Sequence, residues 1–199
     1  MAAWTRRLEQ RRYNMNGSLD TSFGINGQLA TAGSGNAMGL LNTGEFLVGG
    51  NLIYNLGILN AGFGPSTGFA VSRYQGGGVT DGKFGNHGGT FTAITPSSSY
   101  PNVVTSGLGI QSSGDIVLLG TAMNIYGLAF ALVRYTPTGE LDTTFGTNGT
   151  VITTFGSDLI NASGIAMQSD GKIVAVGSYT SPVQGSPDYG YKLARYLGQ

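Results

Sequence analysis

Short apolar runs bounded by turn residues recur along this chain in the same order three times, a pattern that predicts short strands. The first run of each set covers residues 28–31, 90–95 or 150–155. The second alternates, with Met38 and Leu40, Leu108 and Ile110, or Ile165 and Met167 pointing the same way, because side chains two apart on a strand share a face. Between them stand Gly39, Gly109 and Ala166, small residues that predict crowding on one face. A two-residue turn follows as Thr43-Gly44, Ser113-Gly114 or Asp170-Gly171, the last a strong hairpin signal. The third runs, Phe46-Leu47-Val48, Ile116-Val117-Leu118-Leu119 and Ile173-Val174-Ala175-Val176, are continuous, as expected of strands covered on both faces. Gly49, Gly120 and Gly177 are predicted to end them. The fourth runs, 68–74, 128–135 and 190–196, place Phe69 with Val71, Phe130 with Leu132, and Tyr191 with Leu193 on one face.

The turn after the fourth run makes this a repeat. Arg12-Tyr13 leads to Asp20, Phe23-Gly24 and Gly27; Arg73-Tyr74 to Asp81, Phe84-Gly85 and Gly88; Arg134-Tyr135 to Asp142, Phe145-Gly146 and Gly149. A fourth pair, Arg195-Tyr196, follows, and successive pairs stand 61 residues apart. Each interval holds four predicted strands. Antiparallel four-stranded units repeating every 40 to 60 residues or so are the signature of propeller blades. One such sheet cannot bury both its faces, so stacked neighbours supply the stability. The expected fold is all-β, a β-propeller with three repeats per chain: residues 12–199 carry the repeats, and residues 1–11 form an N-terminal arm or extra strand. Loops 51–67, 97–104 and 179–189 vary between copies and are where binding is expected.

The strings RYNMNGSLDTSFGINGQL, RYTPTGELDTTFGTNGTV and GIAMQSDGKIVAVGSY closely resemble the delta-60 repeat, a bacterial β-propeller repeat. The resemblance covers nearly everything from Arg12 to Gln199 and is weakest in the middle copy, where QGGGVTDGKFGNHGG replaces the usual polar turn. It implies the fold and brings no shared enzymatic chemistry. Propellers normally close with at least about four blades, so three do not make a ring. The third blade lacks a last strand after Tyr196, and residues 27–31 supply an unattached one. A strand from one chain completing a blade of another gives a homodimer of six blades. An isolated arc would leave sheet faces and edges exposed.

Composition narrows the partners. Charged residues make up only 10% of the chain, glycine contributes 35 of 199 residues, and the formal net charge is zero, which leaves no basis for a nucleic-acid partner. The one basic cluster, Arg6, Arg7, Arg11 and Arg12 interrupted by Glu9, reads as a solvated face or an arm docking on a partner. With no cysteine there is no disulfide framework, thiolate nucleophile or cysteine-ligated metal. The N-terminus MAAWTRRLEQRRY lacks the apolar run of a secretory signal, and no stretch approaches the roughly 18 apolar residues of a membrane span. Localisation stays open, compatible with a surface or extracellular setting.

Candidate chemistry is sparse. Arg12 and Asp20, Arg73 and Asp81, and Arg134 and Asp142 recur eight apart; a planar arginine fork bonding the carboxylate of its own turn is scaffolding that every blade requires. Phe23, Phe84 and Phe145 are expected in the core between blades. Asn14-x-Asn16-Gly17-x-x-Asp20 faintly resembles a calcium loop, yet its equivalents lose most of those oxygens, and an ordinary turn is favoured. His87, the only histidine, stands where the other copies have Asn26 and Asn148 and reads as a turn variant. Carboxylates outside the repeated turns are Glu45, Asp115, Asp158, Asp170 and Asp188, the candidates for a glycosidase pair. Aromatic platforms for sugar are Tyr54, Phe63, Tyr100, Tyr126, Tyr179 and Tyr189, and Trp4 anchors the N-terminal strand. The expected function is a non-catalytic scaffold or binding module, without cofactor or metal, displaying loops to protein or glycan. Alternatives are a propeller lectin or carbohydrate-active enzyme, and a structural component of a cell surface or virus particle.

Overall fold

The computed structural model describes residues 7–32, 34–54, 66–94, 103–124, 127–181 and 188–198, which form strands and turns with no helix among them. Strands β3 (Ser34–Leu40), β4 (Phe46–Tyr54), β5 (Ser66–Tyr74) and β6 (Gly89–Ala93) pair antiparallel in sequence order as blade I. Blade II repeats this with β7 (Val103–Ile110), β8 (Ile116–Asn124), β9 (Gly127–Tyr135) and β10 (Thr150–Thr153). Blade III has three strands, β11 (Leu159–Met167), β12 (Ile173–Thr180) and β13 (Tyr189–Tyr196). The fold is an all-β propeller arc of four-stranded antiparallel blades, open at blade III.

The N-terminal segment differs from expectation. The strand at residues 27–31 is not unattached: β2 (Gln28–Ala32) is paired antiparallel with β1 (Arg7–Arg11). Because β1 runs into Arg12-Tyr13 as β5, β9 and β13 run into theirs, the pair reproduces the two outer strands of a blade. It packs on one face of blade I, where Phe23 and Leu29 meet Phe46, Val48 and Tyr74. Alternation was hidden in β1 because its sequence, RLEQR, is polar nearly throughout.

Gly49, Gly120 and Gly177 do not end the third runs. β4, β8 and β12 continue through them to Tyr54, Asn124 and Thr180. The glycines are there for space. The first strand of every blade carries a bulge, between Gly35 and Ala37, Thr105 and Gly107, and Ala162 and Gly164. The bulge pushes a carbonyl toward the facing residue, and that residue is Gly50, Gly120 or Gly177, so Gly50 rather than Gly49 is the equivalent of the other two. A Cβ on Gly120 would lie 2.5 Å from the Val104 carbonyl oxygen and 2.9 Å from the Phe69 ring; one on Gly177 would lie 2.3 Å from the Asn161 oxygen and 2.6 Å from the Phe130 ring. Each aromatic belongs to the preceding blade, so the glycine also admits its neighbour's ring.

The core lies between blades. Leu47, Phe69, Val71 and Phe84 from blade I and its turn meet Ile116, Leu118, Ala131, Val133 and Tyr135 of blade II. Val117, Leu119, Phe130, Leu132 and Phe145 then meet Ile160, Ile173 and Ala175 of blade III. The crowding expected at the small residues is present: a Cβ on Gly39 would lie 2.6 Å from Leu108, and one on Gly109 would lie 2.1 Å from Met167. Ala166, the third of the set, faces no further blade and is exposed.

Candidate functional site

The recurring charges are fully engaged in the turns. Arg12, Arg73 and Arg134 donate from Nε to Oδ2 of Asp20, Asp81 and Asp142 at 2.8, 2.8 and 2.7 Å. The other carboxylate oxygen accepts the backbone N–H two residues on, from Ser22, Lys83 and Thr144, at 3.0, 3.1 and 3.0 Å. Each guanidinium lies over the phenylalanine of its own turn, 4.9 Å from the ring centroid of Phe23, 4.8 Å from Phe84 and 4.6 Å from Phe145. Two of the arginines also reach the next blade. Arg73 Nη1 donates to the Pro137 carbonyl at 2.9 Å, and Arg12 Nη1 donates to the Gly76 carbonyl. Beside them, the N–H groups of Gly24 and Gly85 donate to the Gly77 and Thr138 carbonyls at 2.8 and 2.7 Å. The Arg12 and Arg73 turns are thereby tied to the following blade, whereas Arg134 Nη1 donates to Gln111 Oε1 of its own blade at 3.5 Å and Gln111 Nε2 makes the link to the Gly171 carbonyl of blade III at 2.8 Å.

These bonds favour the ionised carboxylates. Asp20 is held below the ordinary aspartate value by its Ser22 hydrogen bonds and then by Arg12, Asp81 by the Lys83 N–H and Arg73, and Asp142 by the Thr144 hydroxyl first. A carboxyl depressed in the folded state contributes stability that is present above its unfolded value, near 3.8, and lost as pH falls through the folded one. Thermal unfolding midpoints are therefore expected to hold steady above about pH 5 and to fall progressively below about pH 4. Differential scanning calorimetry between pH 2 and pH 7 or so checks this.

Among the described residues a second charged group occurs once. Lys192 Nζ lies 3.0 Å from Asp158 Oδ2 and 4.2 Å from the centroid of the Tyr179 ring. The Tyr179 hydroxyl donates to Asp188 Oδ2 at 2.8 Å. Asp188 raises the Tyr179 phenol, and the bond to Asp158 raises the Lys192 ammonium. Of the carboxylates singled out in the sequence, Asp158 and Asp188 are thus brought into one cluster, although each is satisfied by a different partner. The cluster brackets residues 182–187, and the backbone bond from Ser181 N–H to the Asp188 carbonyl, 2.9 Å, closes the same loop base.

The remaining candidates stay apart. Glu45 and Asp115 accept the hydroxyls of Thr43 and Ser113 in their own hairpin turns at 2.8 and 2.7 Å, and Asp170 pairs with Lys172 in the third. In the calcium-like stretch, Asn16 Oδ1 accepts the Ser18 N–H at 3.0 Å, and Asp20 is taken by Arg12 and Ser22. His87 adopts φ 56°, matching 53° at Asn26 and 51° at Asn148, the left-handed conformation its turn position requires. Arg7 and Arg11 lie on β1. Trp4, Arg6, Phe63, Tyr100 and Tyr126, the side chain of Tyr54, and most of loops 51–67, 97–104 and 179–189 lie outside the described residues.

Sequence reasoning missed the polar groups that join blades away from the turns. Asn51 Oδ1 accepts the Thr105 N–H and Thr121 Oγ1 accepts the Ala162 N–H, both at 2.8 Å. These two side chains are equivalent, each one residue beyond the mid-strand glycine. The Tyr135 and Tyr196 hydroxyls reach back to Thr92 and Thr153 of the preceding blade at 2.8 and 2.9 Å. The only signal available was position: a hydroxyl or amide following the glycine in every copy, Asn51, Thr121 and Ser178.

Fold and turns together define a β-propeller repeat protein. A family model described as a domain of unknown function (DUF5122) beta-propeller matches residues 5–23, 111–145 and 168–196. Those segments fall on the hairpin, Arg-Tyr strand and following turn of the repeat, where the interlocking just described is concentrated. No curated protein matches the chain.

Proposed function

We propose that the chain is a non-catalytic display scaffold built from delta-60-type repeats, whose loops engage a protein or glycan and whose ring closes with a second copy to give six blades. The observation that carries this reading is the allocation of charge. The Arg–Asp pairs recurring in all three turns are spent on carboxylate and aromatic ring, and the arginines reach further to the backbone of the next blade at Arg12 and Arg73 and to Gln111 at Arg134. What differs between copies is concentrated in the loops. The Asp158–Lys192–Tyr179–Asp188 group supports the same reading, because it braces the two sides of one such loop. An acid–base pair in a glycosidase needs one carboxyl protonated and the other ionised on either side of a bond. Here an ammonium holds Asp158, and Asp188 is bonded to the Tyr179 hydroxyl beside it.

The test is turnover of a panel of chromogenic glycosides by the purified chain beside its Asp158→Asn and Asp188→Asn variants. The expected result is no turnover by the parent above that of the variants. Activity in the parent that either substitution abolishes would replace this reading with that of a carbohydrate-active enzyme.

A further inference from the structure

We infer that β1 is a placeholder strand, and that on self-association the β13 of a second copy takes its place beside β2 and covers the inner strand of blade I. This rests on the reading that the ring closes with a second copy, and it names the surfaces and the strand that accomplish it.

Two interfaces between blades are already built, and each uses the same positions. The face of blade II toward blade I presents Leu108, Ile110, Leu118 and Gly120; the face of blade I that receives it presents Gly39, Gly49, Phe69 and Asn51. Blade III meets blade II in the same way, with Ile165, Met167 and Gly177 set against Gly107, Gly109, Phe130 and Thr121. The two ends of the arc carry the unused halves of this interface. Blade I presents Met38 and Leu40, equivalent to Leu108 and Ile110, at 63% and 73% exposure. Blade III presents Tyr191 and Leu193, equivalent to the fully buried Phe130 and Leu132, at 73% and 55% exposure, together with exposed Ala166 and Ser178. Continuing the established interface places Tyr191 of one copy over Gly50 of the next, Ala166 against Met38 and Leu40, and Ser178 at the N–H of Gly35. A second copy is therefore the occupant that both faces fit.

Docking blade III in that position meets one obstruction. Both β1 and β13 lead into an Arg-Tyr turn, so both occupy the third-strand position of a blade, and a single blade has room for one. The sequences differ in fitness for it. In the present pairing Gln10 lies opposite Leu29 and Glu9 opposite Ala30. In the complete blades the corresponding residues are Val71 and Ala70, or Leu132 and Ala131. β13 supplies Leu193 where β1 has Gln10, and register equivalent to the Val151–Leu132 pair sets Leu193 opposite Leu29. Exchange thus substitutes an apolar cross-strand pair for a mixed one and covers Met38, Leu40, Tyr191 and Leu193 together. It completes blade III with β2 of the other chain as its fourth strand.

The cysteine-free chain permits a direct test. Opposed residues of an antiparallel pair have Cα atoms about 4.5–5.5 Å apart, within disulfide reach. Leu29→Cys and Leu193→Cys chains, mixed and mildly oxidised, are expected to form a covalent dimer, while each alone does not. In the full chain, Gln10→Pro removes a β1 ladder donor and is expected to lower the dimer Kd by about tenfold; Leu193→Lys places an ammonium in the contact and is expected to raise it by at least about tenfold. Circular dichroism establishes that each variant keeps its β structure. A dimer that forms without the 29–193 cross-link, and that Gln10→Pro weakens, overturns strand exchange and leaves ring closure by another route. A chain that stays monomeric at every concentration overturns both, while the glycoside assay above still decides the display reading by itself.

Discussion

Replacing Arg134 with alanine is expected to lower the unfolding free energy by about 3–5 kcal/mol, because it leaves the Asp142 carboxylate without its partner in a largely enclosed site. The Arg134 side chain is only 4% exposed. Its guanidinium bonds Asp142 at 2.7 Å and lies over Phe145, so the substitution removes packing as well as charge. Lysine is expected to rescue little, since a point charge does not reproduce a planar donor that stacks on a ring while bonding a carboxylate. Arg12 makes the same carboxylate and ring contacts, with a further bond to the Gly76 carbonyl, at 41% exposure, and Arg12→Ala is expected to cost less than about 1 kcal/mol. Urea unfolding of the three variants beside the parent measures the contrast through the midpoint at constant slope. Equal losses at positions 12 and 134 would show that burial does not set the value of the lock.

Phe130→Ala is expected to cost about 3–5 kcal/mol, whereas Tyr191→Ala, at the equivalent position one blade later, is expected to change the stability of the single chain by less than about 0.5 kcal/mol. Phe130 is fully buried, crosses Phe155 edge-on at 5.3 Å between centroids, and rests over Gly177. Tyr191 has no following blade in the single chain and stands in solvent. The pair therefore reads the neighbouring blade rather than the residue. The same thermal or urea denaturation, run at dilutions where the chain is monomeric, reports both; a large cost for Tyr191→Ala under those conditions would mean that its ring is buried within one chain.

Much of the architecture was legible because the repeat imposes the same demands three times. The Arg–Asp spacing of eight and the phenylalanine three residues beyond Asp recur since every turn must satisfy its own carboxylate and cap the core of the next interface. The small residues at 39 and 109 announced the close approach of Leu108 and Met167. Strand ends were less legible. Gly120 and Gly177 look like terminators in sequence, but their role is set by a bulge carbonyl on one side and a neighbour's aromatic ring on the other, and neither is local. β1 gave no period because its polar residues do not alternate, and its assignment follows from pairing with β2. The Asp158–Lys192–Tyr179–Asp188 group joins residues on three different strands or their flanks, so no spacing could have announced it.

The central claim, that this arc closes with a second copy of itself, is tested most directly by the solution mass of the full chain, measured by light scattering after size exclusion across a concentration series. The account predicts a species of twice 20.5 kDa that dissociates in Leu193→Lys. A monodisperse 20.5 kDa species at the highest concentration reached would contradict it.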